Sequence, residues 1–401
     1  MEKPVVIVGA SMGGLRTAES LRRFGYLGPI TVIGDEPYAP YNRPPLSKEV
    51  LASDEVSFEA VAFPQRAATE DVLWKLGKKV TSADLGLGQV TLENGEKVSY
   101  STLVVATGLR PKRQTYENDL RVGRHVIRSL DDALALRAEL RPGAKVVVLG
   151  AGFIGCETAA TAKKLGCDVT IVSPGDLPIK RPLGSVLAAE IQRRQEQQDV
   201  KFLMETTIED LVGAERLTAV KLGGGEVLEC DVLIEAIGSL ANVEWLDGND
   251  LVNTDGLLAD SNLRAVKESG GVWENVFAVG DVAKFPNPVF DSHARRVEHW
   301  NIPTECAKYV AQIIAAQHGS DPSVDDLLAK PFKPIPSFWS DQFDTHLLAF
   351  GLLGLADSVE LVQGTITQDC VFEYRRDGVL VGVAGIGLRS VVQGYRKEFE
   401  R

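Results

Sequence analysis

Two stretches of this sequence repeat one pattern: an apolar run, a glycine turn, then a helix-forming run. Residues 5–21 read VVIVGASMGGLRTAESL, and residues 146–166 read VVVLGAGFIGCETAATAKKLG. A buried strand that runs through such a turn into a helix opens a βαβ unit. The glycines let the backbone approach a pyrophosphate, and the helix N-terminus offers it unpaired N–H groups. The copies start roughly 140 residues apart, a spacing that suits one domain each. The chain therefore reads as α/β, with two Rossmann-like dinucleotide-binding domains. Either turn alone is also compatible with a tight strand–helix connection that binds nothing.

The second copy is the better formed. Gly150, Gly152 and Gly155 complete G-x-G-x-x-G around Phe153 and Ile154, and the strand DVTIV (168–172) closes the unit. In the first copy Gly9 and Gly14 keep the turn and the helix contact, and Gly13 sits beside them. Ser11 takes the close-approach position. A serine hydroxyl there can donate to a phosphate oxygen where glycine only makes room. The next strand, PITVIGDE, ends in Asp35 and Glu36, near the position expected for a ribose-binding acid.

Two such units call for two dinucleotides, one resident and one visiting. FAD and a nicotinamide nucleotide are the natural pair, because hydride passes between their rings. Further apolar strands stop at small residues, where a cofactor can lie over carboxyl ends: STLVVATG at Ala106-Thr107-Gly108, DVLIEAIGS at Gly238, and NVFAVGDVA at Gly280-Asp281.

The net charge of −12 argues against a nucleic-acid partner. Five cysteines without a C-x-x-C and five histidines without an H-E-x-x-H imply no structural metal. With no signal-peptide pattern and no apolar run long enough to span a bilayer, a cytoplasmic protein is expected. The tail changes character: PFKPIPSFWS (331–340) opens a further domain, and CVFEYRRDGVLVGVAGIG (370–387) reads as a hairpin around Asp377-Gly378. A short helix, SVVQGYRKEF, follows.

Ordered motifs then narrow the reading: VVIVGASMGG, GDEPYAPYNRPPLSK, VVATGLRP, VVVLGAGFIGCE, VFAVGDVA, RVEHWN and FWSDQ. Together they resemble the FAD-dependent NADH:ferredoxin and rubredoxin reductases of bacterial oxygenase systems, which have a glutathione-reductase-like fold. The likeness covers essentially the whole chain. It implies an FAD domain built from residues 1–112 and 242–328, a nicotinamide domain from 113–241, and a C-terminal α+β domain from 329–401. Gly9, Ser11, Gly13 and Gly14 would hold the FAD pyrophosphate, with Asp35 and Glu36 near the adenosine ribose. Arg43, Val80, Arg128 and the Ala106–Gly108 turn match FAD-contacting positions. Gly280 and Asp281 would meet the ribityl chain. Lys48, Glu157, Trp300 and Trp339 would surround the reacting rings, with Glu157 pairing with Lys48. NADH, with NADPH as the alternative, would lie on Gly150, Gly152, Phe153, Ile154, Gly155, Ser173, Arg181 and Gly238. The implied partner is a ferredoxin or rubredoxin that feeds a cytochrome P450 or Rieske-type oxygenase, and the reductase itself would be a monomer or homodimer.

Rival readings are an apoptosis-inducing-factor-like protein acting through protein contacts and an NADH oxidase or disulfide-reductase relative. No cysteine occurs before Cys156, which disfavours the redox-thiol class. Nucleotide choice rests on the residue after VTIV. An acid there selects NADH, but here it is Ser173, with Asp176, Lys180 and Arg181 following. NADH remains the expectation. Arg110, Lys112 and Arg113 offer a basic patch to an acidic carrier protein, or are simply a solvated charged loop.

Overall fold

A computed structural model describes residues 4–64 and 66–399. The chain divides into two compact units, each assembled from three separate segments. One comprises residues 1–42, 61–110 and 240–336; the other comprises 43–60, 111–239 and 337–401. Two of the divisions fall at 110/111 and 239/240. Residues 43–60 join the second unit instead of the first, and residues 337–401 cluster with the second unit as well.

The first unit is built on a six-stranded sheet in the order Arg264–Val266, Val272–Ala278, Thr102–Val105, Val5–Val8, Ile30–Ile33, Leu73–Lys75. All neighbours are parallel except the first pair. Val5–Val8, Ile30–Ile33 and Thr102–Val105 are buried along their whole lengths. Each aliphatic side chain so enclosed contributes roughly 1.5–3 kcal/mol, which is why these runs carry no polar alternation. Val8 registers with Val105, and Val105 with Ala278. Three sequence-distant strands therefore end side by side, at the switch point where such sheets bind ligands. The glycine-turn helix Met12–Arg23 packs on the long helix Ile302–His318, and Thr304 Oγ1 donates to Met12 Sδ at 3.6 Å.

The second unit has a parallel sheet in the order Lys201–Met204, Asp168–Ser173, Lys145–Leu149, Val232–Glu235, Arg124–His125. Beside it stands a five-stranded antiparallel sheet from the C-terminal segment, ordered Ser337–Gln342, Thr345–Gly351, Val379–Ile386, Cys370–Arg376, Ser358–Gly364. Its hairpin turns at Asp377 and Gly378, with φ of 51° and 76°. Two consecutive positive φ values suit the right-handed twist of the strands they join. The proline-rich run at 331–336 closes the first unit, and the antiparallel sheet begins at Ser337. Residues 43–48, RPPLSK, form a 3₁₀ turn at Pro44–Ser47 whose leading prolines suit its first positions. The short helix Glu49–Ala52 follows.

Candidate functional site

The two glycine turns can be compared atom by atom. Gly9 and Gly150 both have positive φ, 118° and 108°. A Cβ on Gly9 would lie 2.1 Å from the Ala106 carbonyl oxygen, and one on Gly150 would lie 2.3 Å from that of Ala236. A Cβ on Gly14 would meet the Gly9 oxygen at 2.0 Å, and one on Gly155 the Gly150 oxygen at 2.1 Å. These four glycines are required by the chain's own packing, the first two by φ as well. The close-approach position behaves differently. Ser11 and Gly152 are both helix N-caps with extended backbone, but a Cβ on Gly152 would meet no protein atom within 4 Å. The fold does not demand that glycine, and the open space it leaves is the kind a diphosphate needs at a helix N-terminus.

Around the first turn the structure places the Ala106–Gly108 turn and the segment that leads into Gly280 and Asp281. Ala106-Thr107-Gly108 follows its strand directly, and Thr107 Oγ1 donates to the Asn242 carbonyl at 2.7 Å. Gly13 lies against Val279, the residue before Gly280 and Asp281, which sit in a 3₁₀ turn. Asp35 is exposed; Glu36 accepts a 2.5 Å hydrogen bond from Tyr41 Oη. Val80 is buried at the head of the strand Val80–Asp84. Trp300 is 42% exposed, and its indole N–H donates to Asn42 Oδ1 at 3.2 Å.

In the second unit Gly150, Ser173 and Gly238 stand at or just beyond the carboxyl ends of parallel strands. Ile154 is exposed, whereas Phe153 stacks tilted against Phe338 with ring centroids 5.0 Å apart. Ser173 is buried, and its Oγ accepts from the Gly175 amide at 3.3 Å. Asp176 pairs with Lys180 at 2.5 Å, which leaves Arg181 as an exposed cation. Arg43 donates from its guanidinium to the Arg128 carbonyl at 2.6 Å, tying the RPPLSK segment to this unit.

The most concentrated chemistry of this unit lies at Glu157, in the helix Phe153–Lys164. Lys48 Nζ reaches Glu157 Oε2 at 2.6 Å, with side-chain exposures of 14% and 7%. Ser47 Oγ donates to the same oxygen at 2.8 Å, and Ser340 Oγ donates to Oε1 at 2.7 Å. Thr161 Oγ1, one helical turn on, holds the Ser47 carbonyl at 2.8 Å. The Lys48–Glu157 pairing implied by the sequence is thus formed. The two serines were not anticipated, although both sit inside quoted motifs, RPPLSK and FWSDQ. Period-2 alternation gives the signal for one of them. Phe338, Ser340 and Gln342 are buried on one face of Ser337–Gln342, with Trp339 on the other.

The charged loop is less available than its sequence suggests. Arg110 forks onto Glu244 and also reaches Asn242 Oδ1 at 3.0 Å, and Arg113 faces buried Glu235 at 3.5 Å. Lys112 remains exposed, and among the described residues it forms no ion pair. All five cysteines are free and buried, and burial pushes every thiol up from its ordinary value. None is a nucleophile in waiting. Among the described residues no helix is long and apolar enough to cross a membrane.

Residues 3–307 match the pyridine nucleotide-disulphide oxidoreductase family. The chain belongs to that family. Within it, the ferredoxin–NAD(+) reductase component of the anthranilate 1,2-dioxygenase system of Burkholderia cepacia is 35% identical, over 98% of this chain and 93% of its own length. The rubredoxin–NAD(+) reductase of Pseudomonas putida is 30% identical, over 94% of each chain. The reductase fold of the covalent putidaredoxin reductase–putidaredoxin complex superposes with a TM-score of 0.89 at 26% identity, covering 99% of this chain and 93% of that one.

Proposed function

We propose that this oxidoreductase takes hydride from NADH and passes the electrons, through bound FAD, one at a time to a ferredoxin or rubredoxin serving an oxygenase. The observation that carries the reading is the doubled turn: two βαβ units in which Gly9 and Gly14, and Gly150 and Gly155, leave no room for a side chain, in a chain that matches such reductases over nearly its full length. When bound, FAD supplies the switch between a two-electron donor and a one-electron acceptor.

The residues then have modest tasks. Gly9, Ser11, Gly13 and Gly14 would take the FAD diphosphate, and Asp35 and Glu36 the adenosine ribose. Val80, Arg43, Arg128, the Ala106–Gly108 turn and Gly280-Asp281 would complete the FAD contacts, as the resemblance implies. Gly150, Gly152 and Gly155 would take the NADH diphosphate, with Phe153, Ile154, Ser173, Arg181 and Gly238 around it. Lys48 would supply a positive charge toward negative charge on the reduced ring, and Glu157 would orient it. Trp300 and Trp339 would offer aromatic faces to the rings. NADH is the preferred nucleotide in this reading because Asp176 pairs with Lys180 and so reduces the positive charge that Lys180 and Arg181 could offer a 2′-phosphate. Five free, buried thiols suit a reducing cytoplasm.

The test is anaerobic. Protein loaded with FAD is mixed with NADH or NADPH, and reduction of candidate ferredoxins and rubredoxins is followed. Rapid carrier reduction with NADH supports the reading. Failure to retain flavin, or a stable nucleotide complex with negligible turnover to any carrier, would overturn it.

A further inference from the structure

Glu157 is the end point of a chain of hydrogen bonds in which every donor points the same way. Gln195 Nε2 donates to Gln342 Oε1 at 2.6 Å, Gln342 Nε2 donates to Ser340 Oγ at 3.0 Å, and Ser340 Oγ donates to Glu157 Oε1 at 2.7 Å. Gln195 also donates to the Cys156 carbonyl at 3.2 Å, which anchors the far end to the helix that carries Glu157. From the other side Lys48 and Ser47 donate to Oε2. Gln195, Gln342, Ser340, Ser47 and Glu157 are each at most 6% exposed.

This arrangement suits a carboxylate, which only accepts, and does not suit its neutral acid, which must donate. Aligned bonds of this kind polarise one another, so the remote amides strengthen the last bond to the anion. A buried carboxylate that lost a donor would be left with an unsatisfied oxygen and would turn to find another partner, which disturbs the geometry of its pair with the cation. A fully buried serine and glutamine are also an unusual way to fill the face of a strand, where apolar side chains would pack without needing partners.

We propose that Ser340, backed by Gln342 and Gln195, is the positioning residue that holds Glu157 as an oriented anion and thereby fixes the Lys48 ammonium. The C-terminal sheet, through Ser340, then sets how well the Lys48–Glu157 pair serves hydride transfer. This consequence rests on the proposed reductase function; the effect on Lys48 itself does not.

The test uses S340A, S340C and Q342L in the full chain. Cysteine keeps the shape of serine with a somewhat larger atom and donates weakly, so together with the smaller alanine it separates hydrogen bonding from packing. The first readout is the rate at which acetic anhydride acylates Lys48 in protein before FAD is loaded, measured by mass spectrometry against exposed lysines at one pH. The second is the split between the hydride-transfer rate and the KM for NADH after loading. S340A and S340C are expected to raise Lys48 labelling and to lower the hydride-transfer rate, each about tenfold, with KM moved less than about twofold. Q342L should do the same by about threefold. Wild-type labelling in both S340A and S340C, or full rescue by cysteine, would overturn the proposal. If labelling changes as expected but the loaded protein reduces no carrier, the function reading falls and the positioning role of Ser340 stands. If carriers are reduced normally and labelling is unchanged, Ser340 is packing only.

Discussion

The two glycine turns share a backbone and differ in what the following helix does. The residue seven positions after the first turn glycine is Arg16 in one copy and Glu157 in the other. Arg16 closes a 2.7 Å ion pair with Glu19 on its own helix. Glu157 instead reaches Lys48 and Ser47 from one distant segment and Ser340 from another. The turn is therefore a holding device that either copy can use, whereas chemistry enters where a side chain recruits partners from elsewhere in the chain.

The sharpest way to break this comparison is to remove what the turns share. Gly9→Ala and Gly150→Ala each place a methyl group within about 2.3 Å of a carbonyl oxygen at a positive φ. Each should cost more than about 3 kcal/mol, read as a fall in Tm, with bound flavin lost in the first variant and flavin reduction by NADH lost in the second. Equal tolerance of alanine at both positions would mean that neither turn is constrained as described.

The close-approach position should separate the copies. Gly152→Ala meets no protein atom and should leave Tm unchanged or slightly raised. It should nonetheless raise the KM for NADH about tenfold, equivalent to ~1.4 kcal/mol of binding. Ser11→Gly, which copies the second turn into the first, should change flavin retention less than about threefold. If Gly152→Ala left NADH binding untouched, the space beside it would have no ligand to serve.

Smaller effects test the rims. Ser173→Asp places a carboxylate at the strand end and should widen the preference for NADH over NADPH by about tenfold in kcat/KM. Lys112→Glu should slow reduction of an acidic ferredoxin about threefold at low salt, less at high salt, and leave reduction of a small dye unchanged. An equal loss with the dye would place Lys112 in catalysis instead of docking.

Much of this was legible in the sequence, for local reasons. Strand, turn and helix follow from apolar runs and glycine spacing, and Asp377-Gly378 announced its hairpin because the turn demands two positive φ values in adjacent residues. The convergence of Gly9, Ala106 and Gly280 could be anticipated, because parallel strands that end in small residues share one sheet edge. Three features were not legible. The membership of residues 43–60 in the second unit depends on bonds from Ser47 and Lys48 to a helix more than a hundred residues away. The pairing of Arg110 with Glu244, and the approach of Arg113 to a Glu235 already held by Arg124, depend on residues that are as remote. Ser340 looked like one more residue of an aromatic motif, because a hydroxyl's role is set by what faces it.

The segmented build of the second unit has a consequence for biogenesis. Lys48 is translated early, Glu157 near the middle and Ser340 late, yet all three belong to one cluster. Lys48 and Glu157 are both made before the segment that supplies Ser340, so the donor to Glu157 Oε1 arrives last. Closure of that cluster thus requires translation to reach the first strand of the C-terminal sheet, and a nascent chain stalled before it would carry all segments of the first unit without the Ser340 donor to Glu157.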